Sequence, residues 1–318
     1  MFGVWVIWYQ YNQLESDQVE TIKQSFRDAN YLFVLLSVFF GTLSHLSRAY
    51  RWRYTLAPLG IKIRFSNSFF SVMVAYVANI VFPRMGEVSR CAVIAKYEKQ
   101  PFEKLFGTVV AERVADMVIL LSIIAIVLVL QLDILSSTLD NLLAKGGDPQ
   151  ALIQKLVILG VVGLAVGVGG LIFIRRSNHP MALKVKNLLS GLIDGVMSIL
   201  KMEKKWEFIA HTAFIWIMYL AMFWVVFFAL PETSNVSTAG VLASFVVGGL
   251  SIVLVQGGIG VYPWGVSLVL VAYGVTETAG VTLGWIIWTA QTLMILFWGA
   301  ISLIALPMVN SQSAEKAN

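Results

Sequence analysis

Long apolar stretches alternate with short charged ones along this chain. Residues 31–46, 106–132, 156–174, 208–230 and 281–306 approach or exceed the roughly 20 residues that a helix needs to cross a bilayer. None alternates with a period of two, so the pattern predicts helices rather than a barrel. Residues 1–9 are apolar and aromatic but too short to span. They read as the remnant of a first transmembrane helix whose start lies upstream. A cleaved signal peptide would need a basic start and a small-residue cleavage site, and neither is present.

Two apolar stretches are interrupted. Residues 65–82 carry Ser66, Asn67, Ser68, Ser71 and Asn79, then run into Pro83, Arg84, Gly86, Glu87 and Arg90. Residues 88–97 are too short and too charged to finish a crossing. Residues 238–255 break at Gln256-Gly257-Gly258-Ile259-Gly260, and only the 13 residues 264–276 follow before Glu277. Proline removes a backbone donor and glycine admits left-handed backbone, so Pro83, Gly86, Gly257, Gly258 and Gly260 mark helix breaks. The pattern predicts an all-α polytopic membrane protein. It has about six full transmembrane helices, the first truncated, and two re-entrant hairpins at about 65–97 and 238–276.

Charge orients these elements. Arg48, Arg51, Arg53, Lys62 and Arg64 follow the first clear span without an acid among them, whereas the loop 133–151 holds Asp133, Asp140 and Asp148 against Lys145. Residues 175–206 are again basic and include an interfacial amphipathic stretch. The positive-inside rule puts the basic loops and the C-terminus in the cytoplasm. That assignment is self-consistent only if both hairpins return to the side they came from, one from each face. Opposed broken helices are the layout of inverted-repeat transporters, although sequence similarity between the halves is weak. Residues 1–306 form one transmembrane domain, and 307–318 read as a polar, disordered tail.

Composition agrees. The 318 residues are 58% hydrophobic and 13% charged, against about 25% charged in an ordinary soluble domain. The net charge of +5 sits in loops beside apolar runs, which speaks for membrane topology rather than nucleic acid. Cys91 is the single cysteine and His45, His179 and His211 lack ligand spacing, so no disulfide, metal or cofactor is expected. A nucleophile–base pair, a Walker loop and a nucleotide fingerprint are also missing, so an enzyme or ATP-driven pump is not expected.

The candidate chemistry lies at the first break and in the helix after it. Arg84 and Arg90 offer guanidinium forks for a lipid phosphate, and Glu87 can balance them or take a cationic headgroup. Glu112 and Asp116 share a helix face, and Arg113 can pair with Asp116. A charge at mid-bilayer costs roughly 2.5–3.5 kcal/mol even on lenient insertion scales, so such groups mark function or a structural ion pair. His45, Arg48 and Trp52, at helical spacing, read first as a cytoplasmic anchor with snorkelling arginines, and His45, Arg48 and Arg51 stand beside that as secondary site candidates. The amides around Gly257, Gly258 and Gly260 suit either an anion or close helix packing.

Three ordered motifs also carry a resemblance. Leu43-Ser-His-Leu-Ser-Arg-Ala-Tyr-Arg-Trp52, then Asn79 with Pro83-Arg-Met-Gly-Glu-Val-Ser-Arg90, then Gly107-Thr-Val-Val-Ala-Glu-Arg-Val-Ala-Asp116, are similar to the lysylphosphatidylglycerol synthase transmembrane-region family of flippase-like proteins. The Gly257-Gly258-Ile259-Gly260 element resembles that family's later glycine motif, but Gln256 and Tyr262-Pro263 depart from the usual proline before and acid after it. The resemblance implies movement of an anionic or aminoacylated phospholipid, or a lipid-linked sugar, across the cell membrane. It also implies that Asn79, Arg84, Glu87, Arg90, Glu112, Arg113 and Asp116 line the lipid site. The alternatives are a membrane enzyme acting on a headgroup and a scaffold for an envelope-synthesis partner, either of them alone or as a homo-oligomer. No soluble aminoacyltransferase segment is expected here, so lipid synthesis does not carry over.

Overall fold

The computed structural model describes residues 2–13, 16–82, 84–130, 199 and 201–315, and these are helical with short connections and no strand. In chain order the described helices are α1 (Phe2–Gln13), α2 (Ser16–Asp28), α3 (Tyr31–Leu56), α4 (Phe65–Val81), α5 (Gly86–Glu98), α6 (Phe102–Leu130), α7 (Lys205–Val225), α8 (Thr238–Leu254), α9 (Val261–Ala272) and α10 (Glu277–Glu315). The span expected at 156–174, the acidic loop 133–151 and nearly all of the basic segment 175–206 lie outside the described residues, as does Pro83.

Among the described residues four helices are long and apolar enough to cross a membrane: Tyr31–Leu59, Phe102–Leu130, Lys205–Ala229 and Glu277–Ser311. Their outer faces expose Leu32, Leu35, Phe39, Leu121, Val129, Ile217, Leu293, Phe297 and Ile304. In water so large an apolar surface would drive aggregation; in a bilayer it is the solvated face. The chain is an all-α polytopic membrane protein.

The order of elements repeats as long, short, short, long. The first unit is α3–α4–α5–α6 and the second is α7–α8–α9–α10. Helices α4 and α8 are both 17 residues, and each ends on an extended residue, Phe82 or Val255. Two residues later the chain turns left-handed in both, at Arg84 (φ 60°) and Gly257 (φ 66°). Packing repeats as well. In the first unit Trp52, Leu56, Cys91, Ile94, Leu105 and Val109 join the end of the first long helix to α5 and to the start of α6. In the second, Phe223, Phe227, Tyr262, Val266, Leu283 and Ile286 join the end of α7 to α9 and to the start of α10.

The two units run in opposite directions. The Asn30 amide donates to the Ala229 carbonyl at one end of α3 (2.9 Å), while Arg51 bonds Thr212 near the other (2.9 Å), so α3 and α7 are antiparallel. Helix α4 starts at the arginine-rich end, where Arg64 pairs with Glu98 across the hairpin mouth (3.2 Å) and Asn310 of α10 closes onto Asn67 (2.9 Å). The mouth of the second hairpin is at the opposite end, where Tyr273 lies against Gly240. A 17-residue helix rises ~25 Å, more than half the ~30 Å hydrocarbon core, so the two breaks overlap in depth. They touch: the Gln256 side-chain amide donates to the Ile80 carbonyl (2.8 Å).

Two expected boundaries move. The first span continues past Leu46 to Leu56 because two of the arginines that seemed to end it, Arg48 and Arg51, are buried inside the protein, while Arg53 stays exposed. The final helix passes through Pro307 and reaches Glu315, where a disordered tail was expected; Asn310 holds it to Asn67 and to the Leu306 carbonyl.

The first hairpin is locked by contact. The Gly86 amide donates to the Asn79 side-chain oxygen (2.7 Å), and a Cβ on Gly86 would sit 2.4 Å from Asn79 and 2.5 Å from the Ala75 carbonyl. Gly107, on α6, has open space around it. Gly86→Ala is therefore expected to lower the unfolding temperature in detergent. Gly107→Ala should leave it level or raise it, since alanine is the better helix former by about 1 kcal/mol.

Candidate functional site

Five charged side chains meet inside the first unit. Arg48 and Arg51 come from α3, Arg90 from α5, and Glu112 and Asp116 from α6. All five are buried, Arg51 and Glu112 to within 1%. Spacing explains why they meet. Glu112 and Asp116 lie one turn apart on α6, and Arg48 and Arg51 lie one turn apart on α3, so two stripes face each other. Arg90 is one turn past the first break, which re-aims the chain so that α5 can present it.

The network is continuous. Asp116 accepts from Arg48 (2.6 Å) and Arg51 (2.8 Å) with separate oxygens. Glu112 accepts from Arg90 (2.7 Å) and Arg51 (3.3 Å). Arg51 also donates to Thr212 of α7 (2.9 Å), which ties the second unit in. The Arg90 guanidinium lies 3.8 Å from the centre of the Trp52 ring, and the Trp52 indole donates to Thr108 (2.8 Å). Beside this core the half-exposed Arg113 bridges to Glu87 (3.0 Å) and reaches Asp116 at 3.8 Å.

Among the described residues three buried guanidiniums face two buried carboxylates, so one positive charge lacks a counter-charge within the cluster. Donors are in excess too. Arg48 Nε, Arg51 Nη2, Arg90 Nε and Arg90 Nη2 are buried and have no hydrogen-bond partner among the described residues, as is true of both ring nitrogens of His45. His45 stacks on Tyr76 with ring centres 4.6 Å apart, and the Tyr76 hydroxyl meets that of Tyr219 (3.0 Å). Unsatisfied buried donors cost ~1–3 kcal/mol each, more when charged. The cluster thus carries a surplus positive charge and spare donors, the two features that an anion satisfies.

The residues singled out in the sequence separate into groups. Arg90, Glu112 and Asp116 are in the network, and Glu87 and Arg113 pair at its edge. Asn79 serves the hairpin turn. Arg84 is exposed at the first break and belongs to no ion pair among the described residues. The anchor reading of His45, Arg48 and Trp52 does not hold, since all three are buried and none snorkels. Of the secondary candidates, Arg48 and Arg51 are the centre of the network, held inside by the carboxylates of α6. At the second break the glycines serve packing. The Gly258 amide is bonded to the Val255 carbonyl (2.7 Å), the Gly257 carbonyl accepts from Trp288 (2.7 Å), and Gly260 lies against Gly3 and Ile7 of α1. Sequence reasoning missed Thr212, Tyr76 and Tyr219, single polar residues in apolar runs that carry no spacing signal.

Comparison with known proteins agrees with a membrane-embedded chain. Residues 1–299 match the family model described as the lysylphosphatidylglycerol synthase TM region. The chain belongs to that family. A curated relative, UPF0104 membrane protein MJ1595 of Methanocaldococcus jannaschii, is 32% identical over 97 residues, which is 30% of this chain and 29% of that protein. No solved structure matches the chain.

The geometry separates the network from its edge. Asp116→Asn strips two buried arginines of their carboxylate and is expected to cost about 3–5 kcal/mol of stability. Arg113→Gln, on a side chain 42% exposed, should cost less than about 1 kcal/mol. Equilibrium unfolding in detergent measures both.

Proposed function

We propose that this member of the lysylphosphatidylglycerol synthase transmembrane-region family moves a lipid with a phosphate-bearing headgroup between membrane leaflets. The observation that carries the reading is the buried cluster with one uncompensated cation and free guanidinium N–H groups. A phosphate diester supplies the missing negative charge and accepts from such forks in a bidentate way. Arg48, Arg51 and Arg90 bind the phosphate, while Glu112 and Asp116 hold the forks in place and keep the total charge low enough to bury. On this reading the headgroup passes between the opposed hairpins, and its tails stay in lipid.

The hairpin contact supports the route. Gln256 and Ile80 close the two tips against each other, so a headgroup passing between the leaflets has to part them. Alternating opening at two breaks is how inverted-repeat transporters expose a central site to each side in turn. Lipids bearing anionic, aminoacylated or sugar-phosphate headgroups share the phosphate that the cluster would bind. The basic loops would face the cytoplasm.

Proteoliposomes with headgroup-labelled phosphatidylglycerol and lysyl-phosphatidylglycerol test this. The protein is expected to speed their exchange between leaflets. An Ile80→Cys, Gln256→Cys pair, in a Cys91→Ala background and joined by a short bis-maleimide, is expected to slow that exchange at least ~10-fold, a barrier rise of about 1.4 kcal/mol. Folded protein that moves no phosphate-bearing lipid would contradict the reading.

A further inference from the structure

A cavity of about 720 Å³ opens at the arginine-rich end of α3, between the connection to α4 and the turn that precedes α7. It is separate from the buried network. Among the described residues lining it, Arg53, Lys62, Lys201 and Lys204 are cations, and Glu203 is the single carboxylate. The Arg53 guanidinium rests 4.4 Å from the centre of the Tyr50 ring and 5.8 Å from that of Tyr54, which fixes it at the rim. A second cavity, of about 490 Å³, shares Tyr50 and Phe65 with the first and continues along α3 and α7. Leu43, Leu46, Ala210 and Phe214 make its walls apolar. Its polar members are spent on each other, Ser47 bonding His211 at 2.8 Å.

A basic mouth at the end of a membrane-spanning helix, continuous with an apolar groove on the outer surface, has the division of a phospholipid. We infer that this end of the protein binds one anionic phospholipid, with its headgroup among Arg53, Lys62, Lys201 and Lys204 and an acyl chain in the groove beneath Tyr50. A free phosphate matches the mouth but has no use for the groove. A zwitterionic lipid matches the groove but brings no net charge to the cations. Juxtamembrane lysines and arginines attract anionic lipid within a Debye length, and the aromatic belt residues mark the same depth. The site stands whether or not the protein translocates lipid, since it concerns binding alone.

Native mass spectrometry of the full chain in detergent tests it, with phosphatidylglycerol, phosphatidylcholine and inorganic phosphate as probes. The expected result is retained phosphatidylglycerol that includes one molecule assigned to this site by its loss in the variants below, with phosphatidylcholine bound there at least ~10-fold more weakly. Lys62→Gln with Lys204→Gln is expected to weaken phosphatidylglycerol by a similar factor, and so is Ala210→Trp, which fills the groove. All three positions are exposed, and unchanged unfolding temperatures would show the variants intact. Displacement by inorganic phosphate, with binding unmoved in Ala210→Trp, would overturn the lipid assignment in favour of a simple anion. Equal retention of phosphatidylcholine, or phosphatidylglycerol binding unmoved by either variant, would overturn the site.

Discussion

Two carboxylates held between three guanidiniums, inside a membrane, are the constraint on which the rest of this structure depends. An ion in hydrocarbon is tolerated only when protein surrounds and pairs it. Each long helix of the first unit therefore has to stay in register with its neighbours. Helix α3 keeps its helical path through Leu56 because Asp116 and Glu112 hold Arg48 and Arg51 inside. The first hairpin has to break and return because Arg90 must reach Glu112 from above. Removing a carboxylate leaves a buried guanidinium without its counter-charge, which costs more than the pair contributes.

The fold is repeated but the chemistry is not. Both units have a long helix, a broken hairpin and a second long helix, with a cluster at the corresponding corner. In the second unit that corner is filled by Phe223, Phe227, Tyr262 and Leu270, and no ion pair lies there among the described residues. The first unit thus carries the polar site and the second closes over it, through Thr212 on Arg51 and Gln256 on Ile80. An inverted pair with one charged half gives a single central site with two covers. Under the translocation proposed above, that arrangement lets one headgroup be met from each side in turn.

Much of this was legible in the sequence. Apolar run length located the four long helices, and Gly86 and Gly257–Gly260 located the breaks. Charge parity required the hairpins to oppose each other, and α3 and α7 do run antiparallel. The pairing of α3 with α6 was hidden, because an arginine near the end of an apolar run looks the same whether it snorkels or turns inward. The acids that decide the matter are 61 to 68 residues away in sequence. A closer signal was available in the one-turn spacing of Arg48 and Arg51, which mirrors that of Glu112 and Asp116. The tail was misjudged for a similar reason: Asn310 is polar, yet it is bound to Asn67 rather than to water.

The account assigns the uncompensated cation to a headgroup rather than to the fold, and Arg90→Met tests that most directly. Methionine keeps the length of the stem over Trp52 and leaves two arginines facing two carboxylates, so the cluster becomes neutral. Unfolding temperature and leaflet exchange of labelled phosphatidylglycerol would be measured on the same preparation. The predicted result is a protein at least as stable as the parent that exchanges lipid at least ~10-fold more slowly. A stable variant that exchanges lipid at the parental rate would contradict the account and leave the network a purely structural clamp.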